Sequence, residues 1–456
     1  MPARIGAVAL ASGLAAIGVL SGAGTALADE APQPQSGATA TINGLKTYGE
    51  AVIHEDGTDL TVPAGLFEMS VDGGGTLQTY CVDLHNPTQR DARYQETPWS
   101  GTSLGTNKDA GRIRWILQNS YPQVNDLAAL ARKAGASGLT EQDAAAGTQV
   151  AIWRYSDGAK ADAVDANAEK LADYLEKSAR NTAEPQSSLT LDPPTVSGRP
   201  GGLLGPVTVH TNGGTVTVTP PADAAAAGVR IIDKTGKAVT SAQDGSRLYF
   251  EVPKGAPDGS AQLTVQASTT VPVGRAFASD SRSQTQILAG SSESTVSATA
   301  SATWAAVGAI PAVSARTNCA EGGVDVTVAD KGDQPFTFEL MGEEHTVPAG
   351  TATTVSVPLQ EDRSYDFTVT GPNGFSRRFT GVLDCKTQGV ITTKSAQTLS
   401  DPTPVALPVD TPPGTDLAAT GGSAITPLIA GAAIGFVVIG GAVLVFLRGR
   451  EAQAGE

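Results

Sequence analysis

Large side chains are scarce in this sequence: aromatic residues fill 5% of its 456 positions and methionine occurs three times. That shortage excludes one large helical core, while 52 Gly and 28 Pro favour several β-rich domains joined by turns and linkers. No cluster of Lys or Arg relieves a formal net charge of -15, so nucleic acid is excluded as a partner. The four histidines are dispersed and the three cysteines include no pair at ligand spacing, so neither a metal site nor a cofactor is expected. The run Gly73-Gly74-Gly75 is a turn, and no Walker-type phosphate loop is present.

Long apolar runs are confined to the two ends. Residues 1–28 combine Arg4, an apolar stretch from Ile5 to Leu20 and the close Ala26-Leu27-Ala28, the plan of a secretory signal peptide. Residues 425–447 carry no charge and are long enough to span a bilayer. The basic Arg448 and Arg450 in the 448–456 tail place that tail in the cytoplasm and the preceding chain outside. Just upstream, residues 417–421 read Leu-Ala-Ala-Thr-Gly. Pentapeptide, span and basic tail together resemble a cell-wall sorting signal of the LPxTG kind, in the LAxTG variant associated with actinobacterial class E sortases. The resemblance implies a sortase as partner, cleavage between Thr420 and Gly421, and covalent attachment to peptidoglycan.

Between the ends, residues 29–38 are a polar leader. Short apolar runs at 51–54, 60–63, 66–71 and 77–82 alternate with Gly and Asp turns and predict strands, the last carrying Cys81. Residues 84–109 predict a long loop. Helical spacing follows: Ile113, Ile116 and Leu117; then Val124, Leu127, Leu130 and Ala131, stopped by Gly135. Thr140 and Asp143 form a capping box for a third helix reaching about Tyr155, and a fourth is expected from about Ala161 to Ala179 with Val164, Ala168, Leu171 and Leu175 inward. Residues 39–185 therefore predict an α+β domain.

Beyond it the helical period disappears. Residues 186–310 and 311–387 each predict an immunoglobulin-like β-sandwich, two stalk domains in series. In the second of these Cys319 precedes the first predicted strand and Cys385 follows the last. In a secreted chain they form a disulfide that removes loop entropy worth about 4 kcal/mol. No Lys to Asn isopeptide bond is expected in 186–310, since Lys234, Lys237 and Lys254 face no Asn in its later strands. Residues 388–416, rich in Thr and Pro, form a disordered linker that would reach on the order of 100 Å across a cell wall. The fold class is thus multidomain: an α+β domain, two sandwiches, a Thr/Pro linker and a transmembrane helix.

Pairing Cys319 with Cys385 leaves Cys81 over. Meanwhile Ala145, Gln149, Ile152, Trp153 and Ser156 share one face of the third helix, so the Gln149 amide points into the core. Buried amides need partners. A hydrogen bond to loop backbone is the ordinary answer; a reaction with a cysteine held against the amide is another, because proximity supplies a very high effective concentration. A cysteine hydrolase or transglutaminase would require His54 or His85 beside Cys81, and a plain spacer would keep an inert thiol.

Tyr80-Cys81-Val82, followed far downstream by Thr148-Gln149-Val150-Ala151-Ile152-Trp153, resembles the paired signature of bacterial thioester (TQxA) domains, which sit at the tips of sortase-anchored surface proteins. The resemblance implies an internal Cys81 to Gln149 thioester, shielded or supported by Tyr80, Asp83, Ile152 and Trp153. It further implies a monomeric adhesin that captures an amine on a target covalently, in a single turnover and without enzymatic catalysis.

Overall fold

The computed structural model describes residues 35–55, 57–220 and 228–387. The signal peptide, most of the leader, the linker, the sorting motif with Thr420 and Gly421, the 425–447 span and the tail lie outside these residues. Among the described residues no helix is long and apolar enough to cross a membrane.

The chain opens with a long hairpin of β1 (Thr39–Glu55) and β2 (Thr58–Val71), paired over nearly their whole length. Gly65 sits where the hairpin register slips between Leu45 and Thr47; a Cβ there would lie 2.2 Å from the Thr47 carbonyl oxygen. β3 (Thr76–Cys81) pairs with β2 and carries the cysteine to its last position. β4 (Arg93–Thr97) forms within the stretch expected to be loop, captured by the start of β1.

Helices α1 (Ala110–Asn119), α2 (Leu127–Ala134) and α3 (Glu141–Ser156) follow. The Thr140–Asp143 capping box opens α3, and Gly135, left-handed at φ 67°, ends α2, both as the local signals predict. The fourth helix departs from its expected start. Residues Ala161–Ala163 form β5, paired with β1, and α4 (Ala166–Ser178) begins only behind Asp165, whose carboxylate accepts from the Asn167 and Ala168 amides. Val164 is consequently exposed rather than inward.

Every residue of α3 from Ala144 to Trp153 is buried, because the helix lies between the sheet and its neighbouring helices. Small side chains allow that approach. A Cβ on Gly147 would come within 2.4 Å of the Ala168 carbonyl oxygen of α4, and one on Gly49 would meet the Ala146 Cβ at 3.1 Å.

The first sandwich comprises β6 (Leu189–Asp192), β7 (Thr195–Gly198), β8 (Leu203–Thr211), β9 (Val216–Thr219), β10 (Arg230–Ile232), β11 (Ser241–Ala242), β12 (Arg247–Glu251), β13 (Gly259–Thr270) and β16 (Glu293–Trp304), with β14 (Ala276–Ser279) and β15 (Gln286–Ser291) diverted elsewhere. Its sheets run β10-β12-β8-β6 and β11-β9-β13-β16-β7. The diverted pair joins the first domain: β14 bonds β4 and β15 bonds β3. Together with β1, β2, β3 and β4 they close a ring of six strands, with β5 added outside it on β1. The division at residue 185 is therefore corrected. Segment 39–185 does not complete its own sheet; chain from the supposed stalk does, and a continuous core runs from Ile42, Phe67 and Leu77 to Val209, Phe250 and Val265.

The last domain is a seven-stranded sandwich of β17 (Pro311–Asn318), β18 (Gly323–Asp330), β19 (Phe336–Leu340), β20 (Glu343–Val347), β21 (Ala352–Pro358), β22 (Arg363–Thr370) and β23 (Ser376–Leu383), in sheets β17-β18-β21 and β20-β19-β22-β23. Cys319 and Cys385 are bonded. Cys319 lies in the turn after β17 rather than before the first strand, because the polar Ser314–Asn318 half of β17 hides its alternation. This domain also touches the first: the Cys319 amide donates to the Ser100 carbonyl at 3.0 Å, and Asp384 accepts from the Thr285 hydroxyl at 2.9 Å.

Candidate functional site

Cys81 ends β3 and is the free cysteine of the described residues, wholly buried. α3 delivers Gln149 to it, also wholly buried. The meeting differs from the one the resemblance implies. The Cys81 amide donates to Gln149 Oε1 at 3.1 Å, and Gln149 Nε2 donates back to the Cys81 carbonyl at 2.9 Å. Both ends of that carboxamide are engaged by the cysteine backbone, so Gln149 meets Cys81 through its main chain, where the resemblance implies a bond to its sulfur.

The sulfur meets a different carboxamide. Cys81 Sγ is in direct contact with the side chain of Gln284, which is 1% exposed. Its other contacts are the Asp83 carbonyl, 2.9 Å away, and the Asp83 amide at 3.3 Å. Gln284 arrives through the diverted strands. β15 runs antiparallel to β3 with Gln286 opposite Cys81 and Ile287 opposite Tyr80, so Gln284 reaches just past the end of β3. Tyr94 fixes that segment, sharing a 2.6 Å bond with the Ser283 hydroxyl and donating to the Gln284 carbonyl at 3.0 Å. Gln89 adds bonds to Ser283 Oγ at 2.8 Å and the Arg282 carbonyl at 3.0 Å.

A buried ion pair anchors the diversion at its other end. Arg275 Nε donates to Glu96 Oε1 at 2.8 Å and a second guanidinium nitrogen reaches Glu184 at 2.7 Å, with Arg275 and Glu96 both within 3% of full burial. Glu96 also accepts from the Ala38 amide and from Ser188. Removing either partner would strand a buried charge.

Gln284 satisfies both ends of its amide in one orientation only. The oxygen then accepts from the Thr88 amide at 3.2 Å and from the Thr88 hydroxyl, and the nitrogen donates to the Asp83 carbonyl at 2.7 Å. The nitrogen, not the oxygen, is thereby on the side of the sulfur.

Of the supporting residues expected, Tyr80, Ile152 and Trp153 are buried completely. The Tyr80 hydroxyl donates to the Tyr121 carbonyl at 2.9 Å. The buried Trp153 indole N–H makes no hydrogen bond. Burial pushes the Cys81 thiol well above its ordinary range, helped by the nearby Asp157 and Asp83. Burial likewise raises Asp83 to about 6, against hydrogen bonds from Asn86 and His85. Asp157 and Asp384 are raised well above the carboxylate range, first by burial and then by Asp83.

His54 is held by Asp59 at 2.7 Å and Asp162 at 3.1 Å on the surface edge of β1 and β5, and the sulfur's contacts named above include no histidine. Among the described residues one group of carboxylates, Glu361, Asp362 and Asp384, is close enough to share a cation. It lies on the third domain, and Asp362 is engaged by Asn86 while Asp384 is engaged by Thr285.

Residues 78–181 match the family model described as thioester domain. The chain carries a thioester domain. Residues 311–382 match a second model, described as bacterial phospholipase C, C-terminal domain, which coincides with the disulfide-closed sandwich. No curated protein matches the chain. Among solved structures it is similar to the Bacillus anthracis TIE protein, at 14% identity over 77% of this chain and 81% of that one, with a TM-score of 0.27. It is also similar to the thioester domain of the Enterococcus faecium TIE86 protein, at 16% identity over 60% and 99% of the two chains and a TM-score of 0.27. The E. coli chaperone DraB overlaps 43% of this chain and 98% of its own at 13% identity and a TM-score of 0.15. None of these overlaps reaches a TM-score of 0.5, and the assignment of the thioester domain rests on residues 78–181.

The residue missed from sequence, Gln284, lies far beyond that matched segment. Its only local signal is Ser283-Gln284-Thr285-Gln286 ahead of the apolar Ile287, four polar residues that are all nearly fully buried. A polar run gives no sign of burial until its strand partners are known.

Proposed function

We propose that this chain is a wall-anchored surface protein that binds a target covalently through a thioester between Cys81 and Gln284. One observation supports the reading above all others: within a thioester domain, the buried cysteine sulfur touches a carboxamide whose nitrogen faces it. Sulfur attacks the Gln284 side-chain carbon, the thiol proton passes to the departing nitrogen, and ammonia leaves. An outside amine, typically a lysine, later attacks the same carbon. It forms an amide with Gln284 and releases the Cys81 thiol. The event is single-turnover binding, and no cofactor enters it.

Gln149 contributes by fixing the cysteine backbone, which holds the attack geometry without an entropic cost at the moment of reaction. The remaining features give the setting. A sortase would cut between Thr420 and Gly421 and join the chain to peptidoglycan, with the linker lifting the reactive domain outward. The target is an amine-bearing surface of another cell, a matrix or a neighbouring molecule.

The test is intact mass of the mature protein with peptide mapping, before and after a small amine. A mass lower by one ammonia, lost in Cys81→Ala, and an amine adduct mapped to Gln284 are the expected results. An adduct on Gln149 would move the bond to the helix. A free Cys81 thiol with both carboxamides intact in unreduced native protein would leave a tethered spacer.

A further inference from the structure

We infer that Thr88 is the catalytic residue that polarises the Gln284 carbonyl, its backbone N–H and its hydroxyl forming a two-donor cradle for the oxyanion. The inference rests on the Cys81 to Gln284 thioester proposed above and assigns a role that neither the family match nor the paired motifs identify.

Thr88 lies in the loop that follows the cysteine strand and is completely buried. Its amide is 3.2 Å from the Gln284 oxygen, and its hydroxyl bonds the same oxygen. A buried threonine hydroxyl and a buried loop N–H converging on one acceptor is the arrangement that stabilises charge as it develops on oxygen. The position suits both halves of the chemistry, since sulfur attack on the amide and amine attack on the thioester pass through tetrahedral carbon with negative charge on the same atom.

The second half of the cradle is backbone. The Asp83 carbonyl accepts from the Gln284 nitrogen at 2.7 Å and lies 2.9 Å from the sulfur. On the way in, the thiol proton moves to nitrogen, the carbon–nitrogen bond breaks and ammonia departs. On the way out, an amine occupying that same side can donate one N–H to the Asp83 carbonyl while its lone pair attacks carbon. The carbon–sulfur bond then breaks, and the amine's other proton ends on Cys81. Loop 83–88 thus orients nucleophile and oxyanion on opposite edges of one carbonyl, and selects amines that retain an N–H to donate.

Local chain geometry supports the placement. The Gln284 amide donates to the Pro87 carbonyl at 3.4 Å and the Gln89 amide donates to Ser283 Oγ at 2.8 Å, so the residues either side of Thr88 are tied to Gln284 and to the residue before it. The donor is held in place before any substrate arrives.

The experiment uses the full mature chain as wild type, Thr88→Val and Thr88→Ser, reading the fraction that has lost ammonia and the rate of opening by methylamine. Removing one oxyanion donor is expected to slow opening by about 100-fold or more in Thr88→Val, measured on the folded protein, with the serine variant restored to near the wild-type rate. Thr88→Ala, which relieves any crowding by the valine methyl, gives the same slow opening if the valine variant folds poorly. A valine or alanine variant that forms and opens its bond at the wild-type rate overturns the role of Thr88 and leaves the thioester standing. Wild-type protein that never loses ammonia overturns both.

Discussion

Gln149 and Gln284 both bring a buried carboxamide to Cys81, one from the middle of α3 and one from the lead-in to β15, and they meet different atoms. The helix amide pairs with the backbone N–H and C=O, an arrangement that satisfies both of its ends. The strand amide is gripped at its edges by Thr88 and Asp83, and its carbon is left beside sulfur. In the proposed chemistry, two glutamines at one cysteine therefore divide the work of holding and reacting. Which does which follows from the atoms each can reach.

The sharpest way to break that division is Gln284→Ala. Loss of ammonia and amine capture are both expected to vanish entirely, with Cys81 recovered as a free thiol by alkylation and mass spectrometry. Next in size is Arg275→Met, which strands the Glu96 carboxylate at the root of the diverted strands. It should lower stability by about 3–5 kcal/mol in denaturant titration and reduce the thioester fraction together with it.

Gln149→Ala sharpens the contrast from the other side. It leaves the buried Cys81 N–H and C=O without their partner, and a cost of about 2–4 kcal/mol is expected in the same titration. The folded fraction should still lose ammonia, more slowly; complete loss of the bond with full stability would return Gln149 to the reactive role.

The smallest effect is expected from Asp384→Asn, read as stability against pH. Burial raises the Asp384 carboxyl well above 3.8, so the folded state binds a proton that the unfolded chain releases. Its contribution is present below 3.8 and is lost as pH rises through the raised folded value. Asparagine keeps the Thr285 bond without the charge. The variant should exceed wild type in stability at about pH 8 and converge with it on acidification towards pH 4. Asp83, raised to about 6, gives the parallel test closer to the sulfur.

Much of this arrangement was legible in the residues. Helical spacing and the Thr140 capping box located α3, and the strand ending at Cys81 followed from alternation beside the Gly-rich turn. The burial of Gln149 was also readable. Its partner was not, because a helical wheel gives direction without distance, and α3 turns out to be buried on all faces. Likewise Ala276–Ser279 and Gln286–Ser291 have the short, small-residue character of any strand in the sandwich. Nothing local says that they pair with β4 and β3, more than a hundred residues back.

What the sequence determined by itself is the set of local signals: capped helices, alternating strands, an odd cysteine, a buried amide and a disulfide closing the last domain. Those depend on neighbours within a turn or two of backbone. Tertiary structure alone decided which carboxamide meets the sulfur, because that contact depends on strands crossing from the first sandwich to complete the first domain's sheet. Such pairing is a property of two distant segments together, carried by backbone hydrogen bonds that any sequence can make, so side-chain identity along one segment does not specify it.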